Sequence, residues 1–358
     1  MSVRVSRSES GTDSSASFMQ SRFWGDFKAE YGWKPICLSV EHRSSAFQLL
    51  LLIRRLPAGF SFAYVPHGPE LDIPEDERAA FLAELARAIK PLLPPRCLFI
   101  RFDPPWFKVE VPTSDAPEMA AVRPAIGRPL RRAAADVQVP DTVFVDLRPD
   151  EEQILAAMKP KWRYNIRLAE KKGVIVEEAD LASLSEFYEL YRTTSARDKI
   201  ALHPEEYYRR LLSLASERRE KGFQGSPDIR LWIARYEGHA LAAIITLFRG
   251  EKAVYLYGAS SDEKRNLMPA YALQWKAMRA AKEFGCLEYD LFGMPPTSDP
   301  SHPMHGLYQF KTGFGGAIIH RSGSWDYPLL SLAYAAFRTV EAARTWWFKD
   351  FKKKLRRR

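Results

Sequence analysis

One lysine, Lys311, stands in an aromatic and glycine-rich stretch, Gly306-Leu307-Tyr308-Gln309-Phe310-Lys311-Thr312-Gly313-Phe314-Gly315-Gly316, just after a Pro/Ser/His-rich loop from Pro295 to Pro303. Glycines let backbone approach a ligand closely, and aromatic rings exclude water around a charge. A lysine so placed can hold a phosphate or a developing oxyanion, or it can snorkel from a core strand. A second candidate is Asp103, which closes the apolar run Cys97 to Phe102 ahead of two prolines. It suits either a turn or a general base. The basic run Lys159 to Lys172 puts Arg163, Arg167 and Lys171 on one helical face at four-residue spacing, with Trp162, Ile166 and Ala169 on another. That face is either solvated or in contact with an anion.

Other chemistries find no support. There is no G-x-S-x-G motif, and Cys37, Cys97 and Cys286 are far apart, odd in number and set among apolar residues. They fit neither a disulfide framework nor a zinc site, so a reducing compartment is expected. His67, His239, His302 and His305 show no metal-ligand spacing, and no metal is expected.

The elements that must position these residues follow from periodicity and turn signals. Phe18 to Tyr31 reads as an amphipathic helix with Phe23, Trp24 and Phe27 on its aromatic face and Lys28 at the edge. Strands are expected at 34–40, 47–56, 60–65, 97–102 and 141–146, with a helix at 74–90. Asp150 caps a helix through Met158, a second helix ends at Gly173, and further helices cover 181–196, 204–219 and 266–284. Strands fill 174–178, 229–236, 241–249, 252–259, 289–291 and 318–321. The second half thus repeats the order of the first, helix, strand meander, helix, strand, which points to a duplicated α+β module.

At 358 residues the chain exceeds one ordinary core. Its 46% apolar content is ample for two, and no apolar run approaches the ~18 residues of a membrane-spanning helix. The Ser-rich start, Met1 to Phe18, lacks the apolar segment of a secretory signal, and disorder is expected over 1–17. The net charge of +9 is concentrated: Lys159 to Lys172 carries +5 and Arg344 to Arg358 carries +7, leaving −3 for everything else. Two anionic contacts are implied, not a uniformly cationic surface. In the second of these segments the aromatics Trp346, Trp347, Phe348 and Phe351 lie beside the basic residues, the composition of an interfacial anchor on anionic lipid. Contact with RNA phosphates is the alternative for it.

The meander from Arg230 to Ser260 followed by a long helix is the core of GNAT-type N-acyltransferases. That fold normally starts its helix with R/Q-x-x-G-x-G/A, whose backbone amides hold a pyrophosphate. Here Arg265-Asn266-Leu267-Met268-Pro269-Ala270 takes the place, without the central glycine. Four segments then carry a fuller resemblance: Met158 to Val174 (MKPKWRYNIRLAEKKGV), Leu256 to Trp275, Glu288 to Pro295 (EYDLFGMP) and Leu307 to Gly316. With these, the sequence resembles the FemABX family of aminoacyl-tRNA-dependent transferases that build peptidoglycan bridges, over about Phe18 to Tyr327.

The resemblance implies an α+β fold of two tandem GNAT-like domains, at 18–149 and 150–327. No heptad-rich insertion is present for the helical coiled-coil arm of some members. Residues 328–358 are expected to form a C-terminal helix packing on domain 1, plus the polybasic tail. The implied reaction moves an aminoacyl group from aminoacyl-tRNA, as co-substrate and without a further cofactor, to an amine of a muramyl-pentapeptide precursor, lipid-linked or UDP-linked. The same resemblance implies that Lys28, following Trp24, grips precursor phosphate, and that Asp103 is the acidic residue closing the buried strand, a candidate general base for the attacking amine. The family's phosphate-binding arginine falls on His203, a residue mostly neutral at its ordinary pKa near ~6.5, with Arg197 or Arg163 as a substitute charge. Tyr207 and Tyr257 line the precursor site, Arg163 and Arg167 meet an anion, and Lys311 beside Phe310 meets the tRNA acceptor end. A cytoplasmic monomer, peripheral on the inner face of the plasma membrane, completes the expectation. The alternatives are an acyl-CoA-dependent N-acyltransferase on another amine, or a non-catalytic RNA- or membrane-binding protein.

Overall fold

The computed structural model of this protein describes residues 3–8, 15–110 and 123–346. In chain order they form β1 (Arg4–Arg7), α1 (Arg22–Ala29), β2 (Trp33–His42), β3 (Ser45–Arg55), β4 (Ser61–Val65), α2 (Arg78–Ile89), β5 (Cys97–Phe102), β6 (Phe107–Glu110), β7 (Arg131–Arg132) and β8 (Asp141–Asp146). There follow α3 (Glu151–Ala157), α4 (Pro160–Lys171), β9 (Ile175–Ala179), α5 (Leu184–Asp198), α6 (Glu205–Glu220), β10 (Asp228–Tyr236), β11 (His239–Arg249) and β12 (Lys252–Ser260). The run closes with α7 (Pro269–Phe284), β13 (Glu288–Asp290), α8 (His305–Thr312), β14 (Ala317–Arg321), β15 (Trp325–Pro328) and α9 (Ser331–Trp346).

The chain separates into two units, the described residues of Met1–Lys108, Arg123–Pro140 and His320–Arg358, and those of Val109–Val122 and Asp141–Ile319. Both are GNAT-like, and no long coiled-coil arm is present among the described residues. In the first, the sheet order is β1-β2-β3-β4-β5-β15-β7. β2, β3 and β4 form an antiparallel meander, and β5 then lies parallel to β4. A parallel neighbour cannot be reached by a tight turn, so α2 makes the crossover. The second sheet, β6-β14-β8-β13-β12-β11-β10-β9, repeats this plan. Its meander is β10 to β12, and α7 carries the chain to β13, parallel to β12. The duplication expected from element order is real.

Both meanders are centred on a strand buried on two faces. Leu49, Leu50, Leu51, Leu52 and Ile53 of β3 are all at most 3% exposed. The odd-numbered residues join Phe81, Leu82 and Leu85 of α2 in one core, while Leu50 faces Gly25 of α1. Strand alternation makes this a two-sided sandwich, which is why the segment reads as a continuous apolar run. Local signals behave as expected elsewhere. Asp150 and Gln153 form a capping box on α3, Pro160 opens α4, and Gly173 closes it at φ 84°.

Four expectations are corrected. Arg4–Arg7 lies within the segment expected to be disordered, yet it is a strand paired with Leu38 to Glu41 of β2. A free sheet edge offers such a segment a row of backbone partners. The strand Asp141–Asp146, assigned above to the first domain, belongs to the second sheet, because it pairs with β13. The strands β6, β7 and β15 carry no strong alternation, and their sequences do not announce them. Lys311 sits on a helix, α8, not on a strand. The C-terminal helix packs on the first unit, with Tyr334 of α9 buried against Leu98 and Phe99. The polybasic segment from Lys349 onward lies outside the described residues.

Candidate active site in the second unit

The segments singled out by motif, 158–174 and 307–316, come together. Trp162 of α4 donates its indole N–H to the Phe310 carbonyl at 2.9 Å, and the Lys159 amide donates to the Gly313 carbonyl at 2.9 Å. The glycines make this approach possible. A Cβ on Gly313 would stand 2.1 Å from the Trp162 ring, and one on Gly316 would stand 2.4 Å from the Phe144 carbonyl oxygen. Gly315, at φ 82°, adopts a backbone that side-chain-bearing residues rarely take. The glycine richness of this stretch therefore serves packing of α8 onto α4 and β8.

That packing holds Lys311 in place. The residue is 5% exposed, and its Nζ donates to the carbonyl oxygens of Leu291, Phe292 and Gly293 at 2.7, 2.6 and 2.8 Å. The turn that presents these three carbonyls has Phe292 at φ 53°. Asp290 secures it by accepting from the Phe292 amide at 2.7 Å and from the Thr142 hydroxyl. Tyr255 of β12 lies beneath, its ring centre 5.0 Å from Nζ. Burial pushes the Lys311 pKa down to about 7, opposed by the charge of Asp290. Three carbonyl acceptors match the three hydrogens of an ammonium, so the charged form fits this cage. The Lys311 amine thus sits in a nearly dry pocket, held by three carbonyls.

Phe310, one residue earlier, lines a cavity of about 780 Å³ together with Arg197, Arg265, Tyr255, Tyr271 and Gln274. The cavity opens at the start of α7. Met268 there has φ 57° and Pro269 occupies the first helical turn, so one backbone donor is missing from the place where an acyl-CoA enzyme cradles pyrophosphate. Arg197 is held by Asp198 and Asp262 at 2.9 and 2.6 Å and by the Ser260 carbonyl. Tyr271 stacks edge-on with Trp162 and Phe310, and the Asn165 side chain of α4 is buried. Spacing did not single out Asn165, Tyr271 or Asp290. All three lie inside the matched segments, which was the available signal.

A second cluster surrounds Tyr208. His203 stacks on Tyr207 with ring centres 4.0 Å apart and planes 14° off parallel, and Tyr208 meets Tyr257 at 5.0 Å and Tyr191 at 5.7 Å. His203, Tyr207 and Tyr257 are therefore brought together around Tyr208. Burial, followed by the Tyr207 hydroxyl, pushes the Tyr257 pKa well up, so Tyr257 stays neutral. Arg163 is used differently from expectation. Its guanidinium donates to the carbonyls of Ala156 and Met158 and closes the C-terminal end of α3. Arg167 and Lys171 are exposed on α4.

The first unit holds the remaining candidates. Lys28 lies over the Trp24 ring at 5.1 Å, and its pKa is pushed down to about 8, by burial and then by the charge of Arg54. Asp103 is 2% exposed and accepts a hydrogen bond from the Tyr64 hydroxyl at 2.9 Å. Burial pushes its carboxyl up to about 7 against the pull of that bond. A carboxyl near neutrality can take and return a proton at physiological pH.

Comparison with known proteins gives a consistent result. The FemAB family model matches residues 10–218 and 232–342. The lipid II:glycine glycyltransferase of Staphylococcus aureus (strain USA300) is 23% identical over 400 residues, covering 94% of this chain and 93% of that protein. Its counterpart in strain COL is 24% identical over 275 residues, covering 61% and 65%. The crystal structure of FemX superposes with a TM-score of 0.70 at 19% identity, over 90% of this chain and 94% of that one. At that identity the superposition speaks to the fold.

Proposed function

We propose, from the premise that this chain belongs to the FemAB family and is an aminoacyltransferase, that it moves an aminoacyl group from aminoacyl-tRNA to an amine of a peptidoglycan precursor stem peptide. The observation that carries this reading is the end-to-end likeness to proteins named lipid II:glycine glycyltransferase. The site chemistry supports it. An aminoacyl ester is already activated, so positioning and charge stabilisation suffice and no covalent intermediate is needed.

In the proposed step the precursor amine attacks the ester carbonyl carbon. The new C–N bond forms, the ester C–O bond breaks, and the proton of the amine passes by way of Asp103 to the departing tRNA hydroxyl. Lys311 supplies the positive charge, turning one N–H from its carbonyl cage to the developing oxyanion. Phe310 seats the acceptor end of the tRNA. Lys28 with Trp24, and His203 with Tyr207 and Tyr257, keep the roles in precursor binding that the resemblance implies, and Arg167 meets a phosphate. Arg163 contributes indirectly, since its donors hold the end of α3. No further cofactor enters this scheme, and the enzyme works as a cytoplasmic monomer. The missing donor at Pro269 weighs against acyl-CoA as the group donor.

Incubation with charged tRNA and either lipid II or UDP-MurNAc-pentapeptide, followed by mass spectrometry, tests the proposal. The expected result is a mass gain of one aminoacyl residue on the precursor. Gain only when acyl-CoA replaces charged tRNA would overturn it.

A further inference from the structure

The backbone of Asp103 is pinned on both sides. Its amide donates to the Val65 carbonyl at 3.1 Å, and its carbonyl accepts from the Gly68 amide at 3.1 Å. The register of the first sheet dictates this. β5 lies parallel to β4 with Phe102 opposite Val65, so Asp103 continues the ladder just past the last strand pair. With the main chain fixed, only the side-chain torsions of Asp103 remain open. Tyr64, the residue before Val65, closes them. Its hydroxyl donates to Asp103 Oδ2 at 2.9 Å, and both residues are only 2% exposed. The Tyr64 ring is itself packed, its centre 6.1 Å from that of Trp33.

The charged groups around the carboxylate act on it from further away. They are Asp136, Arg321 and Arg132, with Arg101 facing Tyr64. Arg132 is spent on Asp136 at 2.6 Å and on the Ser324 carbonyl. His67 stands one residue before Gly68, which bridges to Asp103. Among the described residues, Tyr64 alone donates a hydrogen bond to the Asp103 side chain, and Oδ1 accepts none. A donor on a buried carboxylate favours its ionised form, because the acid would need that oxygen less. Burial pushes the Asp103 carboxyl up, and the bond from Tyr64 draws it back towards the neutral range.

We infer that Tyr64 is a positioning residue for the transfer reaction, its hydroxyl holding the Asp103 carboxylate by Oδ2 so that Oδ1 takes the proton of the attacking amine. The inference rests on the reading of Asp103 as the base. The proton leaves the amine nitrogen as the C–N bond forms, rests on Oδ1, and passes to the tRNA hydroxyl as the ester C–O bond breaks. Tyr64 keeps its own proton throughout. Burial, and then the charge of Asp103, pushes its phenol well above the ordinary value.

Tyr64→Phe in the full chain tests it, since the variant keeps the ring and loses only the hydroxyl. In the charged-tRNA assay, the rising limb of the kcat/KM profile should move up by about one to two pH units, the worth of one hydrogen bond to a carboxylate. A merely structural role would lower activity at every pH and leave the limb in place. Thermal melts give an arm that needs no activity. Without the bond the folded carboxyl keeps its proton to higher pH, so the Tm gap between variant and wild type should open as pH rises past about 7. In an Asp103→Asn background that opening should vanish. A limb that stays in place while the melts show the coupling would overturn the role of Tyr64 in the reaction, and melts without the coupling would overturn the contact itself. A wild-type profile in Asp103→Asn alone would instead remove the base reading, and this role with it.

Discussion

The Nζ of Lys311 lies 2.6 Å from the carbonyl oxygen of Phe292, a residue held at φ 53°. The left-handed turn and the buried ammonium explain each other. The turn points three successive carbonyls inward, and only a cation with three hydrogens satisfies them all in a site closed to water. Asp290 binds the turn from the other side through the Phe292 amide. A charge that would be costly alone is thereby kept beside the cavity lined by Phe310 and Tyr255.

Replacing that charge tests its chemical role. Lys311→Met is expected to lower kcat roughly 10²- to 10³-fold, the usual cost of one oxyanion donor, with the KM for the precursor little changed. Steady-state kinetics separates the two parameters. A loss confined to KM would mean that the lysine acts only by shaping the turn.

Asp103 sets a pH dependence with a definite sign. As a base it works ionised, so kcat/KM should rise as pH passes about 7. Asp103→Asn should remove that rising limb along with most activity.

The same carboxyl affects stability. Folded Asp103 keeps its proton up to about pH 7, whereas the unfolded chain releases it near the ordinary carboxyl value of 3.8. Stability from that proton is complete below the lower value and is lost as pH rises to the upper one. Asp103→Asn cannot ionise, so it should raise Tm above pH 7 and change it little near the lower value. Thermal melts across the range check this.

The packing account of the glycines is tested by alanine. Gly316→Ala forces a Cβ against the Phe144 carbonyl and Val143 in β8, with no flexible side-chain end to yield at the carbonyl. A destabilisation of roughly 1–3 kcal/mol is expected in denaturant unfolding. Gly306→Ala meets nothing within 4 Å and should be near neutral.

Arg101 and Asp326 form a bidentate pair at 2.7 and 2.9 Å, with the Asp326 side chain fully buried. Tyr334 of α9 donates to the same carboxylate at 3.0 Å. Arg101→Met would strand that charge, and a loss of about 3–5 kcal/mol is expected. It should loosen α9, seen as faster hydrogen exchange in that helix.

Short-range physics was legible from the residues themselves. The Asp150 cap, the Pro160 start and the Gly173 stop of α4 each depend on neighbours within a turn, and each reads directly from the chain. The two meanders were legible for a similar reason: an apolar run between turn residues has few ways to bury itself. The duplicated order of elements followed, and the matched segments pointed to Lys311, Phe310 and Tyr257.

Tertiary structure alone decided the rest. β15 joins β5 with Trp325 opposite Phe102, far apart in the chain, and the weak alternation of WDYP announces nothing of it. Arg101 and Asp326 are 225 residues apart. The cage around Lys311 comes from a turn 18 to 20 residues upstream, and Arg163 spends its donors on a neighbouring helix end. Residue type states what a side chain can bind. Which carbonyls, rings or carboxylates reach it depends on long-range closure of the chain, and that is set by how whole sheets bury their faces. Lys311 shows both sides: its identity and aromatic setting were visible in the chain, while the three carbonyls that hold its charge became visible only once α8 had packed against α4 and β8.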